Sequence, residues 1–287
     1  MERILLEKQL YRDRGLWECV KAAYWLVANN FGRILKGVLA PALTVMFFFI
    51  LCELADKYEF YGYSRNPIIN FIIQNASVLQ WIGNICFWIA IIPFMAKFLC
   101  LLNGKDYRWN CIRFAKIHVL NIAVIFALKL IMELKIDWDG GESIAFWIIL
   151  LAVLTLLSPL ITYVYTKYLF DESFKISQFR EAYSVGYEFL HKTVGIVVLP
   201  FLCFGFLISR LISTLYGIWD FGKESELIAD IVSGMLGAFI LVIYIIWHFS
   251  AITITYGSIE NIRNHFYEPD PDESDELNGD DVHFFGI

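Results

Sequence analysis

Long apolar runs separated by short charged stretches set the pattern of the chain. Six runs have the length a helix needs to cross a bilayer core, roughly 20 residues for about 30 Å. They cover approximately 37–54, 78–102, 112–134, 144–170, 193–215 and 228–257. The runs are continuous and do not alternate, so barrel strands are a poor reading. Pro41, Pro93, Pro159 and Pro200 fall inside or near them. Membrane helices tolerate proline because neighbours satisfy the freed carbonyl, so kinks are expected there. The fold class that follows is an all-α, polytopic membrane protein with six transmembrane helices.

Two stretches between the runs have helical periodicity. Leu16, Cys19, Val20, Ala23 and Val27 form one apolar stripe; Phe179, Ala182, Tyr183, Gly186, Phe189 and Leu190 form another. Each leads into a span within a few residues, which predicts amphipathic helices lying at the membrane interface. The alternative is a helix packed under the bundle. At an offset of 163 residues Glu18 matches Glu181, Tyr24 matches Tyr187 and Gly32 matches Gly195, with a weaker echo over 109–121. The pattern suggests three pseudo-repeated units, each an interfacial helix followed by a helical hairpin.

Composition sharpens the class. Of 287 residues 58% are hydrophobic, 17% aromatic and only 18% charged, and mean hydropathy is +0.58. Soluble domains carry about 25% charged residues. An ordinary soluble enzyme, a disordered chain and a nucleic-acid binder with a basic patch are excluded. The net charge of −6 is misleading, because residues 268–287 hold eight acids and no Lys or Arg. The expected organisation is an N-terminal segment, 1–36, a membrane domain, 37–257, and an acidic, disordered tail, 258–287, that begins with a short helical extension. Of the 23 Lys and Arg residues, 17 fall on one side of the six spans and six on the other. The positive side is expected inward, which puts both termini in the cytoplasm and the protein in the inner membrane. The first 36 residues are charged throughout and do not read as a cleavable leader. Residues 56–74 read as the longest outer loop, and Trp81, Trp138 and Trp219 suit an outer aromatic belt.

Catalytic motifs are hard to find. There is no rhomboid-like serine motif, no HExxH and no phosphate-cradling glycine loop. The six cysteines are spread out and the five histidines lack ligand spacing, so no catalytic residue, metal or cofactor is assigned. Polar residues inside spans are costly unless paired or hydrated, and so are the better lead. His118, Asn121, Lys129, Glu133, Arg210 and His248 could line a polar cavity between helices. The competing reading makes Lys129, Glu133 and Arg210 interface residues and the rest packing polars. Ala229, Ser233 and Gly237 form a small-residue stripe on the sixth run, suited to close helix packing or to a homo-oligomer face.

The stretch Trp17, Glu18, Lys21, Tyr24, Asn30, Phe31 and Gly32, echoed at Glu181, Tyr187 and Gly195, resembles the six-helix membrane domain found beside some bacterial glycerophosphodiester phosphodiesterases and in related stand-alone membrane proteins. The soluble barrel of those enzymes has no counterpart here, so no catalytic residue carries over. The resemblance implies a bacterial membrane protein. The expectation is a non-enzymatic scaffold or accessory subunit of a membrane complex. Its expected partners are the lipid bilayer and a protein bound through the acidic tail, with no nucleic acid. A small transporter or lipid-handling protein is the alternative.

Overall fold

The structure is a computed structural model that describes residues 3–59, 67–133, 142–200, 202 and 226–265, with side chains except at 59, 124–133, 142–150 and 226–229. Among these, every regular element is helical: α1 (Glu7–Leu10), α2 (Leu16–Asn29), α3 (Phe31–Glu59), α4 (Pro67–Asn103), α5 (Tyr107–Glu133), α6 (Glu142–Pro159), α7 (Thr166–Phe170), α8 (Phe179–Glu188), α9 (Leu190–Pro200) and α10 (Glu226–Asn264). Four helical stretches are long and apolar enough to cross a membrane: Phe31–Tyr58, Pro67–Asn103, Leu151–Phe170 and Asp230–Asn264. They correspond to the first, second, fourth and sixth predicted runs. The third run falls on α5, whose side chains are described only to Ala123, and the fifth starts in α9 and passes beyond the described residues. Trp138, Trp219 and the acidic tail from residue 266 also lie outside them, whereas Trp81 is 69% exposed.

The helices extend further than the apolar runs. Residues 56–59 belong to α3 and 67–74 to α4, so the stretch expected to be an outer loop is helical at both ends. The reason is tertiary: α3 and α4 pack as an antiparallel hairpin, and helix continues where it has a neighbour. Gly83 sits at the tight point of that hairpin, where a Cβ would lie 2.8 Å from Cys52 Sγ.

Residues of the quoted motif have local jobs. Glu18 accepts a hydrogen bond from the Gly15 amide at 2.7 Å, closing the first turn of α2, and Asn30 Nδ2 donates to Leu26 O at 2.9 Å at its last turn. The apolar stripe of α2, however, does not face lipid. Cys19, Ala23, Leu26 and Val27 are buried, and the helix packs on α10. Burial pushes the Cys19 thiol above its ordinary pKa. Trp17 and Tyr24 point outward, 73% and 58% exposed. Periodicity identified the buried face correctly but not what covers it. The predicted echo over 109–121 runs into α5 without a break.

Pro159 shapes the most irregular span. After it, Leu160–Tyr165 forms a π-helical turn before α7 resumes the α form. Proline has no N–H to give the carbonyl four residues back. Here Ser158 Oγ donates to Thr155 O at 2.9 Å, and Tyr183 of α8 donates to Leu156 O at 2.9 Å, so side chains replace missing backbone donors. Ser158→Ala is expected to lower stability by about 1 kcal/mol, a fall of about 2–4 °C in melting temperature for a chain of this size. An unchanged melt would show that the Thr155 carbonyl does not need this donor.

Candidate functional site

Helix α10 changes character along its length. Its first half carries partly exposed apolar residues, among them Ile231, Val232, Met235 and Phe239. From Ser250 to Asn261 every residue is buried, although this stretch contains Ser250, Thr253, Thr255, Ser258, Glu260 and Asn261. A helix buried all round is the axis of its bundle, and a polar one needs partners on every side.

Those partners are specific. Glu260, only 5% exposed at its side chain, takes a hydrogen bond from Lys167 Nζ at 2.7 Å, a short one from the Tyr163 hydroxyl, and one from Asn264 Nδ2 at 3.1 Å. Tyr163 and Lys167 reach it from the π turn and the helix after it. Thirty residues earlier on α10 the arrangement recurs. Asp230, 2% exposed at its side chain, accepts from Lys57 Nζ at 2.5 Å and from the Tyr58 hydroxyl at 2.7 Å. Thirty residues of α-helix span about 45 Å, close to the ~40–45 Å of a bilayer with its head-group layers. One helix therefore carries a carboxylate–lysine–tyrosine group near each end of its long apolar stretch, Asp230–Asn264.

The Glu260 end is laced further. Residues 3–14 run beneath the helices: the Ile4 amide donates to Leu101 O at 2.8 Å and Arg3 Nε to Leu102 O at 3.0 Å. Lys192 of α9 donates to Arg14 O at 2.9 Å, and Asn261 Nδ2 to Asp13 Oδ1 at 3.1 Å. Arg113 of α5 caps α7. Its guanidinium donates to the carbonyls of Tyr168, Asp171 and Glu172, the last at 2.8 Å, and lies over the Trp109 ring. A cation on the final carbonyls complements the helix dipole. Lys105 donates to the exposed Glu172 carboxylate at 2.8 Å and holds it below the usual carboxylate range. Between α7 and α8 a cleft of about 240 Å³ opens beside Tyr163, Lys167, Asp171, Ser173, Glu181 and Arg263.

Of the residues proposed from sequence, the structure describes the side chains of His118, Asn121 and His248. His118 Nε2 lies 2.9 Å from Trp88 O on α4, and its ring stacks on Phe114 with centroids 5.4 Å apart. His248 stacks instead on Tyr244, at 5.2 Å. The two histidines thus have separate aromatic surroundings. Asn121 is half-buried one turn beyond His118. Lys129 and Glu133 lie on the last turns of α5, where only the backbone is described, and Arg210 lies outside the described residues. On the small-residue stripe, a Cβ at Gly234 would meet Ile50 at 3.5 Å and one at Gly237 would meet Phe49 at 3.9 Å, so this face of α10 lies against α3. Ser233 hydrogen-bonds Asp230 O at 3.0 Å, and the Ala229 side chain is outside the described set. Among the described residues no group of three His, Cys, Asp or Glu side chains could hold a metal.

Asp230 and Glu260 escaped the sequence reading. Each sits at an edge of the sixth apolar run, where an acid is normally solvated, and their lysines lie 173 and 93 residues away in the chain. The available signal was an acid three residues past a span yet still in helical register with buried Tyr256. Neither a family model, nor a curated protein, nor a solved structure matches the chain.

Proposed function

We propose that the chain is a non-enzymatic protein of the inner membrane, with both termini cytoplasmic, that serves as a scaffold or accessory subunit of a membrane complex. The observation carrying this reading is the use of the buried charges. Asp230 and Glu260, the buried carboxylates of α10 among the described residues, are each matched by one lysine and one tyrosine, an arrangement that holds helices in place. Six spans and a three-unit plan belong to the same proposal. In support, α2 and α8 begin 163 residues apart; Cys19 and Ala182 are both buried, as are Ala23 and Gly186, while Glu18 and Glu181, and Tyr24 and Tyr187, are exposed. The acidic stretch after residue 267 supplies the contact for a basic partner. The test is affinity purification in mild detergent of the full chain and of a variant with the eight tail acids changed to Asn and Gln. A stoichiometric partner retained by the first and lost by the second is expected. Equal recovery from both, or no stoichiometric partner with either, would sink the reading.

A second reading, a small transporter or lipid-handling protein, draws on a different observation. Thr162 Oγ1, Tyr165 Oη, Thr253 Oγ1 and His248 Nδ1 are buried without a hydrogen-bond partner. Two lie on the π turn and two on α10, elements in contact with each other, and π turns often mark functional sites.

A further inference from the structure

The cleft between α7 and α8 has the size, chemistry and position of a head-group site. We propose that it binds the joined phosphate and primary ammonium of an amine-bearing phospholipid. Its volume of about 240 Å³ is below the ~300–1,000 Å³ typical of sites for drug-sized ligands, which suits a head group and excludes acyl chains. Lys167 and Arg263 present N–H donors for phosphate oxygens, and Arg can do so with two parallel bonds. Asp171 and Glu181 present acceptors for an ammonium. Glu260 already neutralises Lys167, and Arg263, which also hydrogen-bonds the Tyr163 side chain, shares the cleft with two acids. That balance disfavours a purely anionic ligand and favours one with a cationic end.

The groups are held before any ligand arrives. Lys167 is fixed by Glu260 and lies over the Phe174 ring, 5.8 Å from its centroid. Asp171 Oδ1 is fixed by the Ser173 amide and hydroxyl, at 2.8 and 2.7 Å. The cleft lies where the apolar stretch Leu151–Phe170 ends, and the exposed Ile176 falls in the chain between its lining residues Phe174 and Gln178. This is the level of the lipid head groups. The inference rests on the membrane placement but not on the scaffold role.

The full chain, purified in mild detergent, is titrated with phosphatidylethanolamine, phosphatidylglycerol, phosphatidylcholine and free O-phosphoethanolamine, and bound adducts are counted by native mass spectrometry. Phosphatidylethanolamine should be retained about tenfold better than the other two lipids, the equivalent of one charge-assisted hydrogen bond. Phosphatidylcholine has no N–H to give the acids, and phosphatidylglycerol has no amine. Glu181→Gln and Arg263→Gln, both at exposed positions, should each remove that preference, Glu181→Gln without changing the melting temperature, while Lys8→Gln, away from the cleft, should leave the preference intact. Equal retention of the three lipids, or an unchanged preference in both cleft variants, overturns the proposal. Binding of free O-phosphoethanolamine as tight as that of the lipid overturns the lipid as the source of the head group. Loss of the tail-dependent partner with lipid preference intact would count against the scaffold alone.

Discussion

Gly257→Ala is expected to expel residues 3–14 from the Glu260 end of the bundle. A Cβ at Gly257 would lie 2.6 Å from Leu10 Cδ1 and 2.8 Å from the Leu10 carbonyl carbon. The side chain could rotate away but the backbone cannot, because it is pinned on both sides. The Ile4 amide is bonded to Leu101 O, and the Arg14 amide to Ser258 Oγ at 3.0 Å. Overpacking a well-filled core costs about 1–3 kcal/mol, and moving this segment would also uncover Leu5 and Leu10, each 1% exposed. Limited proteolysis should cut the variant within residues 3–14 at a protease concentration that leaves the parent intact, and its melting temperature should fall. Two other glycines grade the effect. At Gly195 the nearest obstacle is the tip of Leu16, at 2.5 Å, which can turn, so a smaller loss is expected; at Gly32 there is nothing within 4 Å, and alanine should be neutral or slightly stabilising. Cleavage and melting unchanged in Gly257→Ala would show that the crossing of Leu10 over α10 is looser than described.

The same crossing shows what could be read from the chain and what could not. Run length and hydropathy predicted helix at each of the four stretches able to cross a membrane, because a bilayer asks the same of any sequence. Pro159 predicted a kink, and a π turn formed directly after it. Periodicity in α2 predicted the burial of Cys19 and Ala23 but assigned it to lipid, since a stripe says which face is hidden and nothing about what hides it. Gly257 read as the end of a span and is instead a contact between segments 247 residues apart. Asp230 and Glu260 escaped the sequence reading for the same reason: burial of an ion pair is a property of two distant segments, and neither alone reveals it. His118 and His248 both looked like intramembrane polars, and only tertiary structure shows one bound to the α4 backbone and the other stacked on its own helix.

The second large effect is expected at Glu260. Truncating it to alanine would leave the Lys167 ammonium and the Tyr163 hydroxyl without their acceptor at a position where Lys167 is 19% exposed. Breaking a buried pair typically costs about 3–5 kcal/mol, whereas replacing both partners by apolar residues is often neutral or stabilising. Glu260→Met, which strands the same two groups, should therefore melt lower by roughly 6–12 °C if the loss is about 3 kcal/mol. Lys167→Met should fall at least as far, because it strands a carboxylate that is more deeply buried than the amine. The double variant Lys167→Met with Glu260→Met should recover most of the difference, so the coupling between the two sites should be large and favourable. Additive losses in the double variant would mean that Tyr163 and Asn264, not Lys167, hold the carboxylate in place. Because the double variant keeps the helices together while removing the lysine from the cleft, its lipid preference separates the two uses of Lys167. A bundle that melts like the parent but no longer favours phosphatidylethanolamine would show that the ion pair holds a cation in position for a ligand as well as joining α10 to the helix beside it.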